Sequence, residues 1–215
     1  MLTIDRFQKG LTLVEMMIAM VLGLFVTAVI ITVFSTNVRS STENIKMIRL
    51  NQELRGAMTF MVDEIKRAGY SADPGNAIFM STLSTRWVNS SCFLYSYDND
   101  SDGAQGTDEH FGFQLDTVAK QIKWASDADN GCAFGESITD ANMAEITALK
   151  FDLSGSVNIN GVTSLDAFTT TTGVSVYDVT ITLTGTTDLP HSSVANDPRR
   201  TVTETIRIRN DAPKD

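Results

Sequence analysis

The feature that most constrains this chain is an uncharged, apolar run that extends from Met16 to Phe34. These residues, about nineteen in number, form a helix long enough to cross a hydrocarbon core of roughly 30 Å. Arg6 and Lys9 precede the run, and cations on this flank favour a cytoplasmic N-terminus. The run therefore predicts one membrane-spanning helix, with the rest of the chain on the other side of the membrane.

Two residues next to this run are unusual for a secretory protein. An ordinary secretory signal is cleaved at small residues that follow its apolar core, whereas here the suitable small residue, Gly10, precedes it. Glu15 places a carboxylate in an apolar helix, which costs about 3 kcal/mol in a bilayer if the group is ionised and unpaired. Glu15 therefore either pairs with a cation or lies at the headgroup boundary in contact with water.

Residues 9–15 (KGLTLVE) and the apolar run resemble the class III signal of type IV prepilins and pseudopilins. The resemblance implies that prepilin peptidase cleaves after Gly10 and that the new N-terminus, Leu11, is methylated. It also implies that Glu15 acts in filament assembly by pairing with the α-amino group of Leu11 in the same or a neighbouring subunit. The family usually has Phe where this chain has Leu11.

Beyond the run, the pattern becomes that of an amphipathic helix. No proline occurs before Pro74, so one helix can extend from Thr12 to about Ala68, and Gly69 is a suitable stop. Apolar residues recur at helical spacing, namely Val38, Ile45, Ile48, Leu54, Met58, Met61 and Ile65. The predicted segments are a leader (1–10), a transmembrane half-helix (11–36), an amphipathic half-helix (37–69) and a globular head (70–215).

The head shows the alternation of apolar and polar residues that is typical of β-strands. The apolar sets are Phe93/Tyr95/Tyr97, Phe111/Phe113/Leu115, Val118/Ile122/Trp124, Leu149/Phe151/Leu153, Tyr177/Val179/Ile181/Leu183 and Val202/Ile206/Ile208. They predict an antiparallel sheet with one buried face, which the amphipathic half-helix can cover. The predicted fold class is α+β and type IV pilin-like, with a long N-terminal helix packed on an antiparallel β-sheet head.

The clearest candidate site in the head is an acidic stretch, residues 98–109 (DNDSDGAQGTDE). It fits the twelve-residue calcium-loop pattern D-x-D-x-D-G-x₅-E, although Gln105 replaces the usual apolar residue at the eighth position. The flanking strands would make it a hairpin loop, and the alternative is a solvated acidic turn. The predicted ligands are Asp98, Asp100, Asp102, the carbonyl of Ala104, and Glu109, with Gly106 acting through a water.

The other reactive side chains indicate structural roles. The chain has two cysteines, Cys92 and Cys132; outside the cytoplasm they would form one disulfide, or else remain as two buried thiols. The two histidines, His110 and His191, match no nucleophile or metal pattern. We therefore do not expect an enzyme.

The charge of the chain bears on possible partners. The net charge of −9 does not suggest a nucleic-acid-binding groove. A small basic region near the C-terminal end is interpreted as a solvated sheet face, although it is also suited to touch DNA or a protein partner. Its members are Arg199, Arg200, Arg207 and Arg209.

Several segments resemble PilW-like minor pilins, among them 52–56 (QELRG), 67–70 (RAGY), 92–98 (CFLYSYD) and 146–151 (ITALKF). The resemblance implies a minor pilin that is anchored in the inner membrane with its head in the periplasm. It would then enter the pilus beside other minor and major pilins and help to prime assembly. The alternatives are a J-type pseudopilin of a type II secretion system, or an adhesin or DNA-binding module displayed at the pilus tip.

Overall fold

The computed structural model describes residues 10, 12–73, 79, 91–126, 128, 135–158, 175–189 and 197–208. The chain divides into two compact units, Met1–Ile45 and Lys46–Asp215, and one helix, α1 (Leu13–Ile65), has residues in both. A 3₁₀ turn covers Thr107–Glu109. The strands are β1 (Cys92–Ser96), β2 (His110–Asp116), β3 (Gln121–Ala125), β4 (Glu136–Ser137), β5 (Glu145–Asp152), β6 (Val157–Asn158), β7 (Ser175–Val176), β8 (Asp178–Thr186) and β9 (Arg199–Arg207).

In the first unit, the apolar part of α1 is exposed on all sides. It is long and apolar enough to cross a membrane, and none of its apolar window is buried within the chain. Two threonine hydroxyls in this part, those of Thr27 and Thr32, each donate a hydrogen bond to the carbonyl four residues earlier, at 2.8 and 2.9 Å. Their polar groups are therefore satisfied inside the helix, as a lipid environment requires. Thr36 and Thr42, which follow the apolar run, make the same kind of bond at 2.9 Å.

In the second unit, one face of α1 is buried in the head. The buried residues are spaced three or four apart, as expected for one helix face, and are Leu50, Leu54, Ala57, Met58, Met61, Val62 and Ile65. This confirms the predicted amphipathic pattern from Leu54 onward. Val38, Ile45 and Ile48, which were assigned to the same face, are instead 48–55% exposed.

Helix α1 ends at Ile65, earlier than the predicted end at about Ala68, and a turn leads from there to Gly69, the predicted stop. Gly69 has φ +77, a left-handed conformation that glycine adopts without a Cβ penalty. Its N–H leaves the helix and donates to the carbonyl of Ser96 at 2.8 Å. The end of α1 is thereby attached to the end of strand β1.

The strands of the head form two larger antiparallel sheets, whereas the sequence analysis predicted one. Their orders are β1-β2-β3-β4 and β5-β8-β9, and β6 pairs separately with β7. The N–H of Ile146 donates to the carbonyl of Lys120 at 2.9 Å and connects the two sheets. The α+β fold class, a long apolar N-terminal helix followed by antiparallel sheets, is confirmed.

Both sheets and the buried face of α1 enclose one hydrophobic core. Phe93 from the first sheet and Phe151 from the second are in ring contact, with centroids 5.2 Å apart. Strand β1 is buried on both faces, because Cys92 and Leu94 belong to a second, smaller apolar cluster. The side chains of β1 therefore alternate between the two faces of the sheet as predicted, but the side chains on both faces are buried.

Val118 does not share a strand with Ile122 and Trp124 as predicted. It is 93% exposed and lies in the turn between β2 and β3. The carboxylate of Asp116 accepts hydrogen bonds from the N–H groups of Val118 and Ala119 at 2.9 and 2.8 Å. This side-chain turn ends β2 and turns Val118 out toward water.

Gly185 on β8 allows the sheet to approach α1 closely. A Cβ at this position would lie 2.9 Å from Leu54 Cδ2 and 3.4 Å from Leu50 Cδ1 and from the Glu145 carbonyl oxygen. We predict that Gly185→Leu lowers the free energy of unfolding by about 1–3 kcal/mol through overpacking. Urea unfolding of the full chain in detergent micelles measures this change.

Gly56 provides a control of opposite sign. It lies on the exposed side of α1, and no atom of the described residues is within 4 Å of a Cβ placed there. Gly56→Ala should raise the free energy of unfolding by about 1 kcal/mol, because alanine is the better helix former. A neutral Gly185→Leu, or equal shifts in both variants, would contradict this packing.

The turn that exposes Val118 also predicts an acid dependence. Lys123 Nζ lies 2.8 Å from Asp116 Oδ2, and this contact, together with two backbone N–H groups, lowers the pKa of Asp116 from 3.8 to about 2. Because the pKa is lower in the folded state, the stabilisation is complete above about pH 4 and is lost as the pH falls toward 2. As the pH falls over this range, the urea midpoint of unfolding should therefore decrease less for Asp116→Asn than for the unaltered chain. Parallel declines in the two proteins would refute the assignment.

Candidate functional sites: the N-terminal segment and the acidic loop

The segment that carries the predicted processing site includes a helix cap. Thr12 directly precedes α1, and its Oγ1 accepts a hydrogen bond from the N–H of Glu15 at 3.3 Å. This bond satisfies one of the N–H groups that the first turn of a helix leaves unpaired. This role was not predicted, although the spacing Thr-x-x-Glu is that of a capping box and could have indicated it.

The predicted cleavage and assembly residues lie on either side of this cap. Gly10 is exposed, and no described residue comes within 4 Å of a Cβ placed on it. Leu11 lies outside the described residues, so its methylation stays a prediction. Glu15 is exposed in the first turn of α1, where the helix dipole favours a negative charge. Its pairing with an N-terminal amine also stays a prediction.

The acidic loop brings three of its predicted ligands together. One carboxylate oxygen from each of Asp98, Asp100 and Asp102 lies within 4.8 Å of the other two. Asp98 is buried, with 2% of its surface exposed, while the other two are exposed. Carboxylates this close repel one another, and a cation between them would remove that repulsion.

The backbone of the loop holds these carboxylates in place. The N–H of Asp102 donates to Asp100 Oδ1 at 3.1 Å, and the N–H of Ala104 donates to Asp102 Oδ1 at 2.7 Å. The N–H of Gly103 donates to Asp98 Oδ2 at 3.1 Å. Gly103 has φ +75 and lies close to Asp73, whose Cβ would be 3.3 Å from an added Cβ. Glycine is therefore required for this turn.

The two oxygens of Asp98 have different surroundings. Oδ2 accepts hydrogen bonds from the N–H groups of Ala72, at 2.8 Å, and of Gly103. The Ala72 N–H is the main reason why the pKa of Asp98 lies below its usual range, so the carboxylate is ionised at neutral pH. Oδ1 is buried and, in the part of the chain that the structure describes, has no hydrogen-bond partner.

Glu109 closes the loop from both ends. It is buried, and Oε1 accepts the N–H of Asn99 at 2.7 Å while Oε2 accepts the N–H of Gly106 at 2.8 Å. It is not one of the three clustered acids. Glu109 thus has a bracing role that was not predicted from the sequence, and its role as a calcium ligand stays a prediction.

Gln105, the departure from the calcium-loop pattern, has a local explanation. Its Nε2 donates to Ser96 Oγ at 3.1 Å, and that hydroxyl donates to the carbonyl of Phe79 at 3.0 Å. A polar residue at the eighth loop position is therefore hydrogen-bonded to the end of β1. The departure does not disturb the cluster of acids.

The loop borders a cleft at the end of helix α1, with a volume of about 340 Å³. Arg67, on the helix side, contacts both Tyr97 Oη at 3.1 Å and Glu64 Oε1 at 3.3 Å. The lining residues are Arg67, Tyr70, Tyr97, Asp98, Asn99 and Ser101.

The remaining predicted residues are only partly described. Cys92 is buried in β1, and Cys132 lies outside the described residues, so the disulfide stays a prediction. His110 is buried at the start of β2, and His191 also lies outside the described residues.

Part of the predicted basic region is engaged within the sheet. Arg207 makes a bidentate contact with Asp178, with its Nε and a terminal nitrogen 2.8 and 2.9 Å from the two carboxylate oxygens. Arg199 and Arg200 are exposed at the start of β9, and Arg209 lies outside the described residues. The contact between Arg207 and Asp178 therefore supports the interpretation of this region as a sheet face.

Comparison with known protein families gives two matches along the chain. The family described as prepilin peptidase-dependent protein B matches residues 43–208, which is well over half of the chain. The prokaryotic N-terminal methylation motif matches residues 5–31, which include Gly10, Leu11 and Glu15. Neither the curated proteins nor the solved structures contain a match to this chain.

The bracing role of Glu109 predicts a change in hydrogen exchange. Glu109→Gln leaves one acceptor where the loop uses two, so an N–H at Asn99 or Gly106 loses its partner. We expect exchange of that amide to accelerate by about tenfold to a hundredfold, as for a lost buried hydrogen bond. Mass spectrometry of peptides covering residues 98–106, in the presence of a chelator, measures this rate.

Asp108→Asn is the matched control, because Asp108 is the exposed neighbour and undergoes the same change in charge. Its exchange in residues 98–106 should equal that of the unaltered chain. Equal rates in Glu109→Gln and Asp108→Asn would show that Glu109 does not brace the loop.

Proposed function

The chain belongs to the family of prepilin peptidase-dependent protein B, and on this premise we propose that it is a PilW-like minor subunit of the type IV pilus. It is made as a prepilin and cleaved after Gly10 by prepilin peptidase, and Leu11 is then methylated. It is held in the inner membrane with its head in the periplasm, and from there it enters the pilus. There it helps to prime assembly together with other minor and major pilins.

One observation is the main support for this proposal: within its apolar run, helix α1 has no polar face. Its large hydrophobic side chains, from Leu13 to Phe34, are each 55–77% exposed. An apolar surface of this extent needs lipid or other apolar helices around it. A helix that is first in a membrane and then in the core of a filament has such surroundings throughout.

Glu15 supplies the coupling between processing and assembly. Cleavage of the leader creates a positive charge at the α-amino group of Leu11. In apolar surroundings the Glu15 carboxylate gains much more from such a partner than it would in water. Its exposure at the first turn of α1 supports pairing with a neighbouring subunit.

A J-type pseudopilin of a type II secretion system is the second candidate function. The N-terminal methylation motif and the exposed apolar helix are the features that favour it, since prepilins and pseudopilins share them. A tip-displayed adhesin or DNA-binding module has less support. Within the described residues, Arg207 of the basic region is already paired with Asp178.

Deletion of the gene, scored for surface pili and secreted enzymes in the same strain, separates these functions. We expect few or no pili with normal secretion, because the chain primes the pilus. Retained pili with blocked secretion would instead identify a pseudopilin. Normal pili and normal secretion would contradict both assignments.

Complementation of the deletion tests the role of Glu15. Glu15→Ala should accumulate in the membrane and be cleaved yet fail to restore pili, because the N-terminal amine has no partner. Glu43→Ala is the matched control, since Glu43 is an acid on the same helix that pairs with Arg39 at 3.0 Å. Full restoration by Glu15→Ala would mean that Glu15 is merely solvated.

A further inference from the structure

We propose that residues 98–109 bind one calcium ion through Asp98 Oδ1 and the carboxylates of Asp100 and Asp102, and that the ion fastens this loop to the segment that follows helix α1. The carbonyl of Ala104 and water would complete the oxygen ligands. The proposal concerns the head alone. It stands whether the chain serves a pilus or a secretion system.

The spacing of the three aspartates fits a single calcium ion. Calcium binds oxygen ligands at 2.3–2.6 Å, so two oxygens on one ion are separated by at most about 5 Å. One carboxylate oxygen from each of Asp98, Asp100 and Asp102 lies within 4.8 Å of the other two. They already satisfy this limit.

The buried oxygen of Asp98 is the independent observation that points to a cation. Oδ1 is enclosed by the protein and has no hydrogen-bond partner among the described residues, although the carboxylate is charged. Buried polar atoms in proteins nearly always have a partner, and an unpaired charged oxygen is especially unfavourable. A cation that also contacts the two exposed aspartates would satisfy this atom.

The surroundings of the site orient its ligands in advance. In each of Asp98, Asp100 and Asp102, one carboxylate oxygen accepts a backbone N–H from the loop. Such bonds fix a ligand's orientation and leave its other oxygen to the metal. Glu109 joins the two ends of the loop, so the carboxylates are positioned with little further ordering.

Asp98 also connects the site to the end of the helix. Its N–H donates to the carbonyl of Tyr70 at 2.9 Å, and its Oδ2 accepts the N–H of Ala72 at 2.8 Å. Two residues away, Ser96 accepts the N–H of Gly69. An ion that holds Asp98 therefore restrains residues 69–72, where the chain leaves α1.

Calcium suits this site better than magnesium. Magnesium requires near-ideal octahedral geometry at 2.0–2.1 Å and releases its water reluctantly, whereas calcium accepts irregular sets of six to eight oxygens. Two of the three aspartates are exposed, and the loop is short. We expect a dissociation constant of about 10⁻⁴–10⁻³ M, the range of extracellular calcium modules.

Titration of the full chain in detergent micelles, after removal of metal with a chelator, tests binding. Calcium binding should release or absorb heat and should fit one site per chain. Magnesium should bind at least about tenfold more weakly. Asp100 and Asp102 are exposed, so Asp100→Asn and Asp102→Asn should leave the fold intact. Each substitution should weaken calcium binding by about tenfold or more. Asp63→Asn, an exposed helix position with the same charge change, should bind as the unaltered chain does.

Hydrogen exchange of the same samples tests the connection to the helix end. Calcium at about 5 mM, above the expected dissociation constant, should slow exchange in residues 69–73 and 98–106 of the unaltered chain and of Asp63→Asn. It should slow this exchange less in Asp100→Asn, because that variant binds calcium more weakly.

Three results would overturn the proposed site: no calcium heat, equal binding of magnesium, or equal weakening by Asp63→Asn. Binding without slower exchange in residues 69–73 would refute the fastening role. A strain that keeps its pili after deletion bears only on the pilus assignment, so the two proposals fail separately.

Discussion

The burial of one face of helix α1 against the two sheets is the interaction on which the head depends. Leu50, Leu54 and Met61 are fully enclosed there, among aromatic side chains from both sheets. The apolar face of a sheet must be covered for a domain to be stable, and α1 provides this cover for both sheets. Toward its N-terminus the same helix has apolar residues with no cover from the chain. The same helix thus stabilises the head and, toward its N-terminus, requires lipid or other apolar helices around it.

The sequence predicted the elements best where one face of an element meets the core and the other meets water. Strand β8 is the clearest case, since buried residues alternate with half-buried threonines along its length. Prediction failed where non-local packing decides burial. Leu94 is covered by a second apolar cluster, and Val118 is turned outward by Asp116. Likewise, apolar spacing in α1 extended back to Val38, but only the tertiary contacts place the start of the buried face at Leu50.

The candidate site shows the same division between local and distant information. The clustering of Asp98, Asp100 and Asp102 follows from their spacing around Gly103, so the sequence was sufficient to predict it. The bond from Ala72 to Asp98 joins residues 26 positions apart and was not predictable. This bond joins the loop to the segment that follows the helix. The sequence pattern therefore indicates which residues would bind an ion. The tertiary structure indicates which segment, the one after helix α1, that ion would restrain.

The central claim is that this chain, once processed, becomes part of an extracellular filament. Mass spectrometry of the N-terminal peptide, recovered from fibres sheared off intact cells, tests that claim most directly. The account predicts a peptide that begins at Leu11 and carries a methylated α-amino group. A peptide that retains Met1 to Gly10, or the absence of the chain from fibres that contain the other pilins, would contradict it.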